Sequence, residues 1–345
     1  MRGSRYLIAA VVVALAACGA KAPGGLPGGG GGLPGGGDLP GGVGGGGGVD
    51  PSACGGFSAN AAGAKLKAFL EAVKELDAQA KGTMEIVVGG CKTMAKELGM
   101  SGVDSMEPKE LCNKVWAEYN NGLKTAVKGK AAFKVEYKPA VCRINVEATA
   151  DIAAKCEGKA SADVGASCSG TCNGTCEGKC AGGAKAGGGG AAGGGECHGQ
   201  CNGTCKGKCE GHADVKASGE CKAKAEAHAS ANMECTKAEL KVTLDAKLVV
   251  DKGKAEKMLN ALKNGVPELL TVKAKIPQLQ AAVETTVATA KELKNAGGQL
   301  ASSFKDQAMC VTGQIAAAVS AAMNIQASVS VSVSVSAEAS GSVGS

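Results

Sequence analysis

The chain reads as an α+β protein: a long antiparallel β-hairpin laced by a disulfide ladder, with a C-terminal third strand, packed at its base by α-helices. Three observations predict this. Twelve cysteines between positions 142 and 235 mirror one another about a single centre. Apolar and polar residues alternate on both sides of that centre. Stretches of helical periodicity flank it before and after.

The helical segment 54–128 comes first. Leu66, Phe69, Leu70, Val73 and Leu76, then Val87, Val88, Cys91, Met94 and Leu98, recur at helical spacing over 58–98. A second helix is expected over 108–124, where Leu111, Cys112, Val115, Trp116, Tyr119 and Leu123 share a face and Pro108 suits the first turn. Cys91 and Cys112 are expected to pair between these helices.

The hairpin is expected over 129–250. Paired from the inside out, its cysteines give Cys180 with Cys197, Cys176 with Cys201, Cys172 with Cys205, Cys168 with Cys209, Cys156 with Cys221 and Cys142 with Cys235. Every pair of numbers sums to 377. A constant sum is the rule for opposed residues in an antiparallel pair. The four inner pairs follow from two equal runs and count once; the two outer pairs are independent. Ile144, Val146, Ala148 and Ala150 share the cysteine face of the first strand, while Arg143, Asn145, Glu147 and Thr149 take the other. Ala223, Ala225, Ala227 and Ala229 alternate likewise on the return strand with Lys222, Lys224, Glu226 and His228. Further out, Phe133, Val135 and Tyr137 face Leu244, Val242 and Leu240, with a bulge or bend near Pro139 and Thr236–Lys237. The tip, 168–209, alternates Cys and Gly on one face. Mirror pairing sets Gly170, Gly174 and Gly178 opposite Gly207, Gly203 and Gly199, which leaves room for bridges. With no bulky apolar residue there, sulfur must supply the stability of the tip. Its other face carries Ser169, Thr171, Asn173, Thr175 and Glu177 beside Lys208, Lys206, Thr204, Asn202 and Gln200, a polar surface that suits either solvation or contact with glycans.

A helical segment is expected over 251–324, in pieces 251–264, 266–296 and 298–324. Asp251 caps the first piece, and Pro267 and Pro277 mark restarts or kinks. Cys310 is left for Cys54 by elimination. In the C-terminal strand and tail, 325–345, the strict Ser–Val alternation from Ser328 to Ser336 reads as the third strand.

Composition narrows the function. Aromatic residues make up 2%, so the core is built from Ala, Val, Leu and Met and needs help from cross-links. Net charge is +6, but Lys and Glu are interspersed and Arg occurs only at 2, 5 and 143, which argues against a nucleic-acid partner. No phosphate loop, dinucleotide fingerprint, Gly-x-Ser-x-Gly or Cys-x-x-Cys redox motif is present. The three histidines, His198, His212 and His228, fall on the solvent side of the return strand. No catalytic residue and no cofactor is expected.

Met1, Arg2 and Arg5 precede an apolar run from Leu7 to Leu15 and the small residues Ala16 and Ala17, which describes an export signal over 1–17. Leu15-Ala16-Ala17-Cys18 resembles the lipobox of bacterial lipoproteins. The resemblance covers residues 1–18 and implies that Cys18 is lipidated, as by palmitate, and becomes the mature N-terminus. Gly19 follows, which in that family favours the outer membrane, at its periplasmic or its surface face. The membrane, through the N-terminal lipid, is then the first partner, with envelope or matrix components as others. Residues 18–53 are nearly all Gly, Pro, Leu and Ala and read as a disordered tether with a reach of roughly 30–35 Å. Of seventeen cysteines, sixteen remain after Cys18, an even number that suits disulfides in an exported chain. These features together describe a structural, adhesive or surface-binding envelope protein. The alternative is a cysteine-rich zinc- or copper-binding protein, with Cys168, Cys172, Cys176, Cys180, Cys197, Cys201, Cys205 and Cys209 as thiolate ligands. Their spacing disfavours it, since four residues along a strand separate thiols by about 13 Å.

Overall fold

The structure, a computed structural model, describes residues 49–52, 54, 61–128, 132–181, 195–302 and 308–343. The export signal, the lipidated Cys18 and the tether as far as residue 48, all expected from the sequence, lie outside the described residues; residues 49–52, expected as the end of the tether, are described and pack on the bundle, with Val49 against its core and the Asp50 N–H hydrogen-bonded to Gln314.

The fold is α+β, and its larger part is helical. Helix α1 (Ala61–Leu98) buries Leu66, Phe69, Leu70, Val73, Leu76, Ala80, Thr83, Val87, Cys91, Met94 and Leu98, one apolar stripe at steps of three and four residues. Helix α2 (Pro108–Ala126) has Pro at its start and buries Leu111, Cys112, Val115, Trp116 and Tyr119. The Trp116 and Tyr119 rings meet edge to face at 5.7 Å. Helix α5 (Lys252–Ser302) runs through both Pro267 and Pro277, so neither proline restarts it. Its cap is Asp251, whose Oδ1 accepts from the Lys254 N–H at 3.0 Å. Helices α1 and α5 touch backbone to backbone: a Cβ on Gly90 would lie 3.0 Å from the Gly265 carbonyl oxygen, and one on Gly265 would lie 2.7 Å from the Gly90 oxygen.

Helix α6 (Ala308–Val343) completes the bundle and corrects one expectation. The Ser–Val run is helix, not a third strand. Ile325, Val329, Ser332 and Val335 are buried at helical steps, and Ser330 and Ser332 donate their hydroxyls to the carbonyls of Gln326 and Ser328, four residues back. Alternation by twos carries no face information when the polar partner is a serine small enough to be buried as well.

Between α2 and α5 the chain folds back on itself, but not as one continuous hairpin. Strand β1 (Phe133–Lys138) pairs antiparallel with β8 (Glu239–Leu244), setting Phe133, Val135 and Tyr137 opposite Leu244, Val242 and Leu240. Strand β2 (Cys142–Asn145) pairs with β7 (Glu234–Cys235), with Cys142 opposite Cys235. The break between these ladders falls at Pro139–Val141, where the Thr236 N–H reaches the Val141 carbonyl at 2.9 Å.

Inward of β2 the expected strands are helices. Helix α3 (Val146–Glu157) starts where Asn145 Oδ1 accepts from the Ala148 N–H at 3.0 Å and stops at Gly158, whose φ is +67°. Helix α4 (Gly219–Ala231) mirrors it. The Ala alternation that imitates a strand has a physical cause. Helix α4 packs against α1, α3 and α5, so Cys221, Ala223, Ala225, Ala227 and Ala229 are buried, and so are Glu226 among them and Ser230 just after them. Alanine stands wherever a neighbouring helix comes close, on several sides rather than one face.

A disulfide-laced tube as the candidate functional site

Beyond α3 the chain enters β3 (Ala166–Cys168) and β4 (Thr171–Ala181), and it returns through β5 (Gly195–Glu210) and β6 (Ala213–Val215). Strands β3 and β6 form a short antiparallel pair, with Ala166 opposite Val215. Strands β4 and β5 do something less usual. From Thr171 to Cys176 every β4 residue has two β5 partners, ten residues apart: Thr171 with Gln200 and Glu210, Asn173 with His198 and Lys208, Cys176 with Gly195 and Cys205. On both sets the partner number falls as the β4 number rises, so the two strands run in opposite directions. A strand has two hydrogen-bonding edges, and here β5 occupies both edges of β4. The ribbon is therefore wound into a narrow tube with no free β4 edge over these residues.

One side of a strand faces the inside of such a tube, and the inward positions alternate Cys and Gly. Cys172, Cys176, Cys197, Cys201, Cys205 and Cys209 are buried, although β4 and β5 carry no large apolar side chain; Ile144, Val164 and Val215 join their buried cluster from neighbouring segments. Glycine between them is a steric requirement. A Cβ on Gly174 would sit 2.1 Å from the Lys206 carbonyl oxygen, and one on Gly178 would sit 2.1 Å from that of Asn202. The glycine partners also differ from the simple mirror: Gly174 opposes Gly207 and Gly178 opposes Gly203, four residues along from the expected pairing.

All eight expected cysteine pairs are at bonding distance. Within the tube they are Cys168–Cys209, Cys172–Cys205, Cys176–Cys201 and Cys180–Cys197, with Cα separations of 5.6, 6.0, 5.7 and 5.9 Å. They are not directly opposed in the ladder, however: backbone pairing puts Cys172 beside Cys209 and Cys176 beside Cys205. The bridges cross the tube interior obliquely, between its two hydrogen-bonded seams. Cys142–Cys235 joins β2 to β7, Cys156–Cys221 joins α3 to α4, Cys91–Cys112 joins α1 to α2, and Cys54–Cys310 ties the start of the described chain to α6. The eight thiols that could have bound a metal are thus taken up two by two. Among the described residues, no group of three or more His, Cys, Asp or Glu side chains converges as a metal site.

The outer surface of the tube is polar, and its side chains bind successive passes together. His198 Nε2 lies 3.1 Å from Glu196 Oε1, and its Nδ1 lies 3.2 Å from Asn173 Oδ1. Asn173 donates to Glu210 Oε1 at 3.0 Å, which also receives Arg143 Nη2 at 2.7 Å. This chain of contacts runs from one seam across β4 to the other and on to β2. Lys206 pairs with Glu177, and Lys208 with Glu234. The hydrogen bond from Lys206 to Glu177 holds that ammonium's pKa above its usual value, and the one from Lys208 holds the Glu234 carboxyl below its own.

Two carboxylates with shifted titration lie on α3 and α4, where these helices meet the rest of the bundle. Glu157, at the end of α3, accepts from Lys65 of α1 at 2.7 Å and from the Ser218 N–H, just before α4, at 2.6 Å. Burial works against its charge, but Lys65 and Ser218 outweigh it and hold the carboxyl at about 2. Glu226 faces α5 from α4 and is 1% exposed. Its burial raises the carboxyl to about 7, with Asp214 and Glu284 adding to the rise and Thr285 and Lys222 opposing it. Sequence reasoning missed both groups, since neither burial nor partner shows in a Lys- and Glu-rich segment. It also put His228 on a strand; His228 lies on α4, with Nδ1 3.4 Å from Glu75 Oε1. Asn145 and Gly158 were the legible signals for α3, a cap and a stop thirteen residues apart.

No family model matches the chain, and no curated protein or solved structure shows significant similarity to it.

Proposed function

We propose that the protein is a non-catalytic cell-envelope lipoprotein, anchored in the outer membrane through an acylated Cys18, whose disulfide-laced tube serves as a structural or surface-binding module. One observation carries the reading: the eight bridges use every cysteine except Cys18. Pairing that complete suits an oxidising compartment, and the unpaired cysteine is the one at the lipobox-like site. The part offered to a partner is the polar outside of the tube, with Ser169 just before β4, Thr171, Asn173 and Thr175 on β4, and Gln200, Asn202 and Thr204 on β5. These side chains are short donors and acceptors on a covalently fixed frame, which suits glycan or matrix contact at low ordering cost. No step of covalent chemistry is assigned to it.

The test is intact-mass and peptide analysis of the protein taken from its own envelope, without reduction. An acyl-modified N-terminal Cys18 and near-zero thiol content are expected, and Cys18→Ala should move the protein out of the membrane fraction. An unmodified residue 18 overturns the anchor. About eight free thiols in the native protein overturn the bridged tube in favour of metal binding.

A further inference from the structure

We infer that the outward face of α6 rests on the lipid surface to which the protein is anchored, an inference that rests on the lipoprotein reading above. From Ala308 to Ala337 the chain contains no Asp, Glu, Lys or Arg. Helices α1 and α5, in the same bundle, present Lys67, Lys81, Lys254 and Lys263 to solvent. A solvent-facing helix ordinarily carries such charges on its outer side.

The two sides of α6 are distinct. Val311, Ile315, Ala318, Ala322, Ile325 and Val329 are buried. The other side shows Met309, Thr312, Ala316, Ser320, Met323 and Ala327. Among the described residues the exposed large apolar side chains are Tyr137, Val250, Met309 and Met323, and the two methionines are 68% and 48% exposed. They stand about four turns apart on one side, roughly 21 Å along the axis.

The described chain begins beside this face. The Asp50 N–H donates to Gln314 Oε1 at 2.9 Å, and Cys54 is bonded to Cys310. The polypeptide arriving from Cys18 therefore joins the folded body at the first turns of α6. Thirty residues, 19–48, separate Cys18 from the first described residue. Ala308–Ser330 is also long and apolar enough, by length and composition, to cross a bilayer. Its buried stripe is committed to α1 and α5, so the helix has only its outer side to give, which fits lying along the surface rather than spanning it. With no Lys or Arg on that side, the contact needs no anionic lipid and should not weaken with salt.

The test uses the full-length acylated protein in phosphatidylcholine vesicles, with part of the lipid brominated on its acyl chains. Tryptophan is introduced as M309W, as M323W, and as V250W for an exposed control; the native Trp116 is buried and its signal is subtracted using the wild type. Bromolipid should quench the M309W and M323W signals at least about twofold more than that of V250W, at low and at high salt. Equal quenching of all three, with acylation of Cys18 verified by mass, overturns the inference and leaves the anchor standing. Absence of acylation removes the anchor and this inference with it. Concentration-dependent self-association in detergent, lost in Ala316→Lys, with both indoles shielded before lipid is added, also overturns it by assigning the face to a second copy.

Discussion

The helical bundle and the sulfur tube solve the same problem by opposite means. In the bundle, long helices bury Leu66, Phe69, Leu70, Leu76, Leu262 and Leu269. Each such side chain contributes about 1.5–3 kcal/mol by leaving water, and no single contact is indispensable. In the tube the inward side chains are Cys and Gly, so β4 and β5 themselves bury almost no apolar carbon beyond the cysteines. Order there depends on four bridges across a double-seamed ribbon. Stability distributed over many contacts tolerates the loss of one, whereas stability lodged in cross-links depends on redox state and on clearances of tenths of an ångström.

Reduction should break this comparison open most visibly. Under a strong reductant, amide exchange over residues 166–215 is expected to rise to near the unfolded rate while α1 and α5 stay protected. Hydrogen exchange read by mass spectrometry checks this, and equal loss of protection in both regions would show that the bundle also depends on its bridges. Next in size is a matched glycine pair. Gly178→Ala forces a Cβ to 2.1 Å from a carbonyl oxygen, so it should scramble the Cys176–Cys201 and Cys180–Cys197 links in unreduced peptide maps. Gly82→Ala, in the middle of α1 with nothing within 4 Å, should instead stabilise by about 0.5–1 kcal/mol, the smallest effect expected here.

Between these extremes lie the two carboxylates. Glu157→Gln should cost on the order of 1–3 kcal/mol at neutral pH by removing a charged partner from Lys65 and Ser218. Because its folded pKa is depressed, the wild-type contribution is present above about 4.5 and fades as pH falls toward 2. Glu226 has the opposite sign. With its folded pKa raised to about 7, its burial is harmless below pH 4.5 and increasingly costly up to pH 7. Glu226→Gln should therefore match the wild type at pH 4.5 and exceed it by about 1–3 kcal/mol at pH 8. Urea unfolding with disulfides intact, at both pH values, checks both substitutions.

The difference between the regions also explains what was readable in the sequence. The mirror of the cysteines was legible because bridging depends only on the chain doubling back, whatever the local conformation. Cys156 and Cys221 pair between helices, although the alternation around them suggests strands. Conformation itself was less legible wherever residues were small. Ala223 to Ala229 and Ser328 to Ser336 alternate by twos yet coil as helix, because Ala and Ser can be buried on any side. The two-seamed winding of β4 and β5 had no signature in the one-dimensional pattern: a flat hairpin and a closed tube demand the same alternation of Cys and Gly.

The nesting of the bridges has a consequence for damage. Seven of the eight links enclose the connection between Cys180 and Cys197, each inside the next like brackets around a word. A protease that severs the backbone there produces two polypeptides that cannot part while the sulfurs stay oxidised. The nested links thereby make the peptide between Cys180 and Cys197 expendable to the covalent unity of the chain.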